Sequence, residues 1–279
     1  MRKALIAVAP ISMKLVTLAQ RRRAVSRAIG IAAKKGAKLV CFPEYVDVQR
    51  THEAVNLPDS PHKRLAAPFK TGPFFEMITA AAKEHRIGVL YGQCAWVGRK
   101  LLNLIVSIDA RGRVLGSYAK THLAPDEGPE GGIDQGESIA PIPTVLGLCG
   151  VITCYEVIFP EIARTQHARG ATFLVCPTAG NSDAYFTMAR ARAAENVMPL
   201  VFSSYSFEAN VKTDGCGAGI VSHTGAVLSK TDHAQTVQCA EINLVPPRAS
   251  PMWHGRGPKV NIRRDAWKRR RTNLYKLGR

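Results

Sequence analysis

ALIAVAP at residues 4–10 and KLVCF at residues 38–42 flank a segment, residues 15–35, in which apolar side chains recur at helical spacing. Short apolar runs bounded by turn residues are typical of strands that are buried on both faces of a sheet. Gly36 follows the helical segment and is a candidate for its C-cap, because glycine tolerates the left-handed backbone found there. The stretch therefore predicts a β-α-β unit that ends at Glu44.

The same alternation continues along the chain and predicts an α/β fold. Further helices are expected at residues 72–86, 160–169 and 184–197. Further strands are expected at these segments: IGVLYGQ, LLNLIVSID, RVLGSYAK, CGVITC, TFLVCP, PLVFSSY, GAGIVS, AVLSK and QTVQCAEIN. Short turns join two successive pairs of these strands and predict hairpins, so the sheet arrangement is mixed. One mixed sheet covered by helices and two sheets packed face to face between helix layers both fit this pattern.

The length and composition suit one domain, residues 1–279, because 46% of the residues are apolar and no internal repeat is visible. The formal net charge of +17 is concentrated in a basic C-terminal arm, residues 256–279, where ten Lys and Arg residues accompany one acid, Asp265. This arm fits either a segment that bridges subunits or a nucleic-acid-binding tail. We prefer the first because no recognised nucleic-acid-binding module is present. Trp253 and Trp267 support an arm that crosses onto another subunit of a homodimer or larger homo-oligomer.

The seven cysteines are an odd number without a CxxC pair, which argues against a disulfide framework and a zinc ribbon. Reduced thiols in a cytoplasmic protein are the simplest interpretation. The apolar N-terminal run is near the short limit of a signal-peptide core, and no apolar stretch approaches the ~20 residues that span a bilayer. We therefore expect a cytoplasmic protein without a membrane span.

Three residues with reactive side chains come just after strand-like runs: Glu44 after KLVCFP, Lys120 after RVLGSYA and Cys154 after CGVIT. Ligands gather at strand ends in α/β sheets. A thiolate that attacks, a carboxylate that moves the proton and a cation that stabilises the oxyanion form an acyl-transfer set. Each residue also has an ordinary structural explanation, as a core cysteine, a turn glutamate or a solvated lysine. The residue types alone therefore leave the chemistry open.

Segments around these residues resemble the signatures of the nitrilase, or carbon–nitrogen hydrolase, superfamily. They are KGAKLVCFPEY at 35–45, GRVLGSYAKTHL at 112–123 and GVITCYEVIFPEIAR at 150–164. Later segments are similar to the family in the same order: GATFLVCPTAGNSDAYF, ARARAAENVMPLVFSS, GAGIVSHTGAVLS and RRRTNLYKL. The resemblance covers nearly the whole chain. It implies that Glu44 and Lys120 are catalytic and that Cys154 is the nucleophile.

The resemblance also implies a four-layer αββα sandwich, with two mixed β-sheets between helix layers, that dimerises. It implies no metal and no organic cofactor. Many members use a second glutamate between the lysine and the cysteine, which positions water and substrate. In the loop APDEGPEGGIDQGES we choose Glu130, with Glu127 as the alternative. The backbone N–H of Tyr155 would be the second oxyanion donor, and Lys120 would lower the pKa of the Cys154 thiol.

The expected reaction is hydrolysis of a non-peptide carbon–nitrogen bond, in a small amide or N-carbamoyl substrate, through a cysteine thioester. Tyr155-Glu156 after the nucleophile is more similar to amidases and carbamoylases than to nitrilases, which commonly have Trp-Glu there. A nitrilase that acts on a nitrile is the alternative among enzymes. A non-enzymatic nucleic-acid or scaffold binder that uses the basic surface is the alternative from another class.

Overall fold

The computed structural model describes residues 3–15, 17–47, 63, 65–128, 131–180, 182–206, 217–233, 236–245 and 271. Trp253, Trp267 and the basic arm, except Arg271, lie outside the described residues, so the arm that crosses onto another subunit stays a prediction. Glu130 also lies outside them.

The described residues form the following strands: β1 (Lys3–Val8), β2 (Ile11–Ser12), β3 (Leu39–Cys41), β4 (Ala67–Pro68), β5 (Gly88–Val97), β6 (Lys100–Ile108), β7 (Val114–Ala119), β8 (Ile142–Thr144), β9 (Gly147–Val151), β10 (Phe173–Pro177), β11 (Leu200–Ser203), β12 (Tyr205–Ser206), β13 (Ala218–Val221), β14 (Val227–Thr231) and β15 (Gln238–Asn243). The helices are α1 (Leu18–Lys34), α2 (Gly72–His85), α3 (Pro160–Ala168) and α4 (Asp183–Asn196). A 3₁₀ helix covers Cys154–Ile158.

Local sequence explains where the helices begin and end. Thr17 caps α1 in a capping box with Gln20, each side chain bonding the other residue's backbone N–H. Ser182 caps α4 with a single bond, in which its hydroxyl oxygen accepts from the N–H of Tyr185. A left-handed residue, Arg86 at φ +53°, ends α2.

Two mixed sheets are present. The first has the order β15-β1-β3-β5-β6-β7, with β4 paired to β5, and the second has the order β14-β13-β11-β10-β9-β8. The neighbours β1, β3 and β5 are parallel in the first sheet, as are β9, β10 and β11 in the second. The two predicted hairpins are present as β6–β7 and β13–β14.

Strand alternation divides the apolar residues into three packed layers. In β1 and β10, Val8 and Val175 point into the layer between the sheets, whereas Ala7 packs against α1 and α2. Leu174 points to the other side, toward α3 and α4. The order is thus helices, sheet, sheet, helices, which confirms the αββα sandwich and decides between the two arrangements left open by the sequence.

The segment PLVFSSY, expected to be one strand, is divided into β11 and β12. The division falls at Ser204, whose hydroxyl bonds to the carbonyl of Gly180 and whose N–H bonds to Gly217. After it, β12 leaves the second sheet and pairs with β2, which follows the first sheet's β1. Strands of two residues have no detectable periodicity, which is why sequence analysis misses β2 and β4 and does not separate β12 from β11.

Gly92 of β5 lets the chain that carries Glu44 approach the sheet. A Cβ atom at Gly92 would lie 2.4 Å from the Cα of Glu44 and 2.6 Å from the carbonyl oxygen of Pro43. Both neighbours are backbone atoms, so an added methyl group forces the main chain to move.

We expect Gly92→Ala to lower the free energy of unfolding by about 1–3 kcal/mol, the usual effect of overpacking. Urea denaturation measures the change. Gly128→Ala is the matched control, because a Cβ there meets no atom within 4 Å, and its effect should stay within about 0.5 kcal/mol. Equal effects of the two substitutions would contradict the close approach at Gly92.

Candidate active site

The loops that follow three strands meet at one point. Glu44 follows β3, Lys120 follows β7 and Cys154 follows β9, and both Glu44 and Lys120 are buried. The ammonium of Lys120 donates to Oε1 of Glu44 at 2.9 Å. The structure therefore brings together a carboxylate and a cation that lie 76 residues apart in the sequence.

A second carboxylate, that of Glu127, contacts the same ammonium. Oε2 of Glu127 accepts from Lys120 at 2.5 Å and from the backbone N–H of Ala124 at 2.8 Å. Oε1 accepts from the hydroxyl of Tyr45 at 2.5 Å. Glu127 was the alternative to Glu130 for the second glutamate. The choice of Glu130 remains an untested prediction, while Glu127 lies in the site.

Asn103 bridges the two carboxylates and was missed by sequence analysis. Its Nδ2 donates to Glu44 at 2.7 Å and to Glu127 at 2.9 Å. The signal was available: Asn103 is a single amide in the apolar run LLNLIVSID of β6. A buried amide needs partners, so a lone Asn in a buried strand indicates a polar site beside it.

Cys154 begins the 3₁₀ helix with a left-handed φ of +51°. This conformation is uncommon for a residue with a side chain and turns the chain sharply after β9. The residue is half-buried, and its sulfur accepts from the hydroxyl of Thr178 at 3.2 Å. The next residue on that loop, Ala179, donates its N–H to Oε2 of Glu44 at 2.8 Å. One loop after β10 thus contacts both the thiol and the carboxylate.

Tyr155 is the second residue of the 3₁₀ helix. Backbone N–H groups in the first turn of a helix have no carbonyl partner inside it. The N–H of Tyr155 is therefore suited to donate a hydrogen bond to the oxyanion of a substrate whose carbonyl carbon is attacked by the Cys154 sulfur, as the resemblance implies.

Glu156 ties the cysteine turn to the lysine loop. Its carboxylate is fully buried and accepts from the N–H of Thr153 at 2.8 Å, the hydroxyl of Tyr118 at 2.7 Å and the N–H of Thr121 at 2.8 Å. Thr121 directly follows Lys120. Glu156 thus fixes the distance between the loops that carry the thiol and the ammonium.

The two carboxylates have opposite pKa shifts, although they share Lys120. Burial raises the pKa of Glu44 above its ordinary value, and Lys120 only partly opposes this. Burial also acts on Glu127, but Lys120, Tyr45 and the Ala124 N–H together hold the pKa of that carboxyl below its ordinary value. Burial alone would lower the pKa of Lys120, yet its anionic neighbours raise it. Lys120 pairs with both carboxylates, and Glu44, whose pKa is the raised one of the two, is the group suited to exchange a proton.

The Cys154 thiol does not have the lowered pKa expected from the sequence. Burial raises its pKa to about 12, and the Glu44 carboxylate adds to the rise. Lys120 and the Thr178 hydroxyl lower it, but by less. The expected lowering by Lys120 is present, but burial and the Glu44 charge, which the expectation left out, outweigh it and make the net shift of the pKa upward. The resting group is a thiol, so its proton must be removed as it attacks.

This arrangement can carry out acyl transfer. A thiol, a carboxylate with a raised pKa and a cation surround one point, as nucleophilic catalysis requires. Within the described ranges, no group of His, Cys, Asp and Glu side chains has a geometry suited to a metal ion. None of the helices described is both long and apolar enough to cross a bilayer.

The family comparison agrees with this chemistry. The sequence model of a family described as carbon-nitrogen hydrolase matches residues 5–248. The chain belongs to the carbon–nitrogen hydrolase family. The resemblance seen in the three motifs is confirmed, and with it the prediction that the chain is an enzyme of the carbon–nitrogen hydrolase type.

Relatives of this carbon–nitrogen hydrolase include a chloroplastic omega-amidase of Arabidopsis thaliana, 26% identical over 82% of this chain and 66% of the plant protein. A citrullinase of Francisella tularensis is 28% identical over 73% of this chain and 76% of its own length. A solved variant of the amidase from Nesterenkonia sp. AN1 has the same fold, with a TM-score of 0.72 and 20% identity over 97% of this chain and 95% of its own. In that structure the acetamide moiety of fluoroacetamide is covalently added at the active-site cysteine.

The raised pKa of Cys154 predicts a spectroscopic result. Thiolates absorb near 240 nm, so the difference in absorbance between the wild type and Cys154→Ala reports the charge on this one sulfur. With a pKa of about 12, we expect no thiolate step below about pH 10, two units lower. A step near neutral pH would show instead that Lys120 outweighs burial.

Proposed function

We propose that this enzyme hydrolyses the carbon–nitrogen bond of a small amide or N-carbamoyl compound through a thioester on Cys154. The observation that carries the proposal is the position of the Lys120 ammonium, which is bonded to Glu44 and Glu127 beside a half-buried cysteine. An ammonium has three N–H donors, and two of them bond to these carboxylates. The third is left for an oxyanion.

In the acylation step, Glu44 takes the proton of the Cys154 thiol as the sulfur attacks the carbonyl carbon. The carbonyl oxygen becomes an oxyanion and is held by Lys120 and the N–H of Tyr155. The C–N bond then breaks, and Glu44 gives its proton to the leaving nitrogen. The products of this step are free ammonia or amine and a thioester at Cys154.

In the hydrolysis step, water attacks the thioester carbon and Glu44 takes a proton from it. The C–S bond breaks, and the proton returns to the Cys154 sulfur. The raised pKa of Glu44 supports this cycle, because the carboxyl must accept a proton twice and release it twice. Glu127 stays ionised throughout and keeps Lys120 charged and oriented, which supports its assignment as the second glutamate.

The substrate class is supported by the relatives. The name omega-amidase denotes an enzyme that acts on an amide group, and the name citrullinase denotes one that acts on citrulline, which has a ureido group. Both groups have a carbonyl carbon bonded to nitrogen, which the proposed site can attack in the same way. A nitrile has no oxygen, and attack on it places the developing charge on its nitrogen, so donors positioned for a carbonyl oxygen would contribute less to its first step.

The proposal predicts the outcome of a substrate panel. Small primary amides, N-carbamoyl amino acids and nitriles are incubated with the enzyme, and ammonia release is measured. We expect turnover of at least one amide or carbamoyl compound, and none with Cys154→Ala. Cys239→Ala, which changes another half-buried cysteine, should retain full activity. Ammonia release from Cys154→Ala at the wild-type rate would refute the mechanism, and release from nitriles alone would favour the nitrilase alternative.

Isosteric substitutions decide between the two candidate second glutamates. Because Glu127 bonds directly to Lys120, we expect Glu127→Gln to lower kcat by about 100-fold or more, the scale for loss of an electrostatic partner of the oxyanion site. Glu130→Gln should change kcat by no more than a few-fold. The reverse order of effects would restore Glu130 as the second glutamate.

A further inference from the structure

The hydroxyl of Tyr205 contacts the backbone of the segment that carries Glu44. Its single hydrogen lies within reach of two acceptors, the carbonyl oxygens of Glu44 and Tyr45, each 3.0 Å from the hydroxyl oxygen, and forms a hydrogen bond shared between them. Tyr205 is fully buried and belongs to β12, which follows the second sheet, whereas Glu44 follows β3 of the first. One hydroxyl therefore links the two halves of the site.

The segment it contacts has an uncommon backbone. Tyr45 has a left-handed φ of +51°, which costs a residue with a side chain free energy unless its surroundings hold it. Gly92 borders the turn on one side, where its N–H bonds to Pro43 and its carbonyl accepts from Val46. Tyr205 supplies further hydrogen bonds from another element. Without that hydroxyl, the carbonyls of Glu44 and Tyr45 lose the partner that spans both residues.

A buried cation lies over the ring of Tyr205. The guanidinium carbon of Arg21 is 5.6 Å from the ring centroid, and the Arg21 side chain has no exposed surface. Its Nε donates to the carbonyl of Leu15 at 2.9 Å, but Nη1 and Nη2 have no hydrogen-bond partner among the residues that the structure describes. Burial of the Arg21 guanidinium with two nitrogens lacking partners there is unfavourable for folding. Its contact with the Tyr205 ring, together with the bond to Leu15, accounts for its position.

We propose that Tyr205 and Arg21 are positioning residues for the reaction. Tyr205 holds the Glu44–Tyr45 backbone through its hydroxyl, and Arg21 holds the Tyr205 ring in place from its face. This inference rests on the proposed role of Glu44 as the proton carrier. Neither residue touches the reacting atoms, so both act through the position of Glu44 and Tyr45.

The geometry explains why a small shift of this backbone matters. Glu44 bonds to Lys120 through its carboxylate, and Tyr45 bonds to Glu127 through its hydroxyl. Glu44 thus positions one contact to the Lys120 ammonium, and Tyr45 positions one contact to Glu127, the carboxylate that pairs with that ammonium. A displacement of their carbonyls moves both contacts together, and misplacement by about 1 Å can lower a rate on the order of 100-fold.

Tyr205→Phe removes the hydroxyl and leaves the ring under Arg21. On a substrate of the wild-type enzyme, we expect kcat to fall about ten- to a hundredfold while KM stays within about threefold. Tyr91→Phe is the matched control, because Tyr91 is also fully buried and donates its hydroxyl to Gln93 at 2.9 Å, in the helix-side core. It should lose similar stability with kcat unchanged. Equal losses of kcat in the two variants would overturn the proposal.

Alkylation of Cys154 by 2-chloroacetamide gives a second readout that needs no natural substrate. Because Lys120 lowers the pKa of Glu44, a weaker contact between them raises that pKa. The pH at which alkylation reaches half its maximal rate should therefore move upward in Tyr205→Phe and stay in place in Tyr91→Phe. Intact-mass measurement against time follows the reaction.

Glu44→Gln separates failure of this proposal from failure of the proposed function. If Glu44→Gln slows alkylation but Tyr205→Phe does not, Glu44 is the base and the positioning role is wrong. If Glu44→Gln has no effect on alkylation, the mechanism itself is wrong, and the positioning role falls with it.

Arg21→Met tests the cation with a side chain of similar length. Removal of the buried charge should leave the melting temperature equal to or above that of a matched surface variant, Arg23→Met, which changes an exposed arginine of the same helix, while kcat falls at least about threefold. An unchanged kcat would remove Arg21 from the positioning pair.

Discussion

A single buried ammonium determines the arrangement of this protein's site. Lys120 lies between the carboxylates of Glu44 and Glu127, and all three are buried. A charge removed from water must be paired and hydrogen-bonded, or it shifts its pKa and becomes neutral. Asn103 and the N–H groups of the neighbouring loops supply the bonds that let the cluster remain charged. The two sheets must therefore hold these loops at fixed positions, since a displaced loop would leave a buried charge without its partner.

The backbone meets this demand with strained turns at strand ends. Tyr45 and Cys154 both have a φ of +51°. Tyr45 directly follows Glu44, and Cys154 is the proposed nucleophile itself. Gly92 removes a side chain where the Glu44 turn approaches β5, and Glu156 bonds the Cys154 turn to the loop after Lys120. Strained residues persist only where the surroundings over-determine them. The three packed apolar layers of the core hold these turns in place.

The sequence pattern predicts the strands and the three strand-end residues that the structure brings together, and the family resemblance adds the order of the layers. Neither predicts the surroundings of those three residues. Apolar runs such as KLVCF and TFLVCP indicate strands because a strand that is buried on both faces of a sheet is apolar at every position. Glu44, Lys120 and Cys154 are found through their motifs. Asn103 has a local signal, as a lone amide in an apolar strand, but its partners Glu44 and Glu127 lie 59 and 24 residues away in the sequence. Tyr205 bonds to the backbone of Glu44 across 161 residues, and no local pattern reveals that contact. The pKa of Cys154 depends on burial, which exists only after the two sheets have packed.

The two carboxylates differ in function because they differ in the donors that they do not share. Lys120 and Asn103 each donate to both Glu44 and Glu127, so these bonds cannot distinguish them. Glu127 also accepts from the Tyr45 hydroxyl and from a backbone N–H, whereas Glu44 adds one bond, from the N–H of Ala179. Burial raises the pKa of Glu44, while the extra donor helps to hold the pKa of Glu127 below its ordinary value, which leaves Glu44 as the carboxyl that gains a proton first. Ala179 belongs to the loop that also contacts the Cys154 sulfur through Thr178. The less anchored carboxylate is thus the one that shares a loop with the thiol, which is the arrangement that proton transfer between them requires.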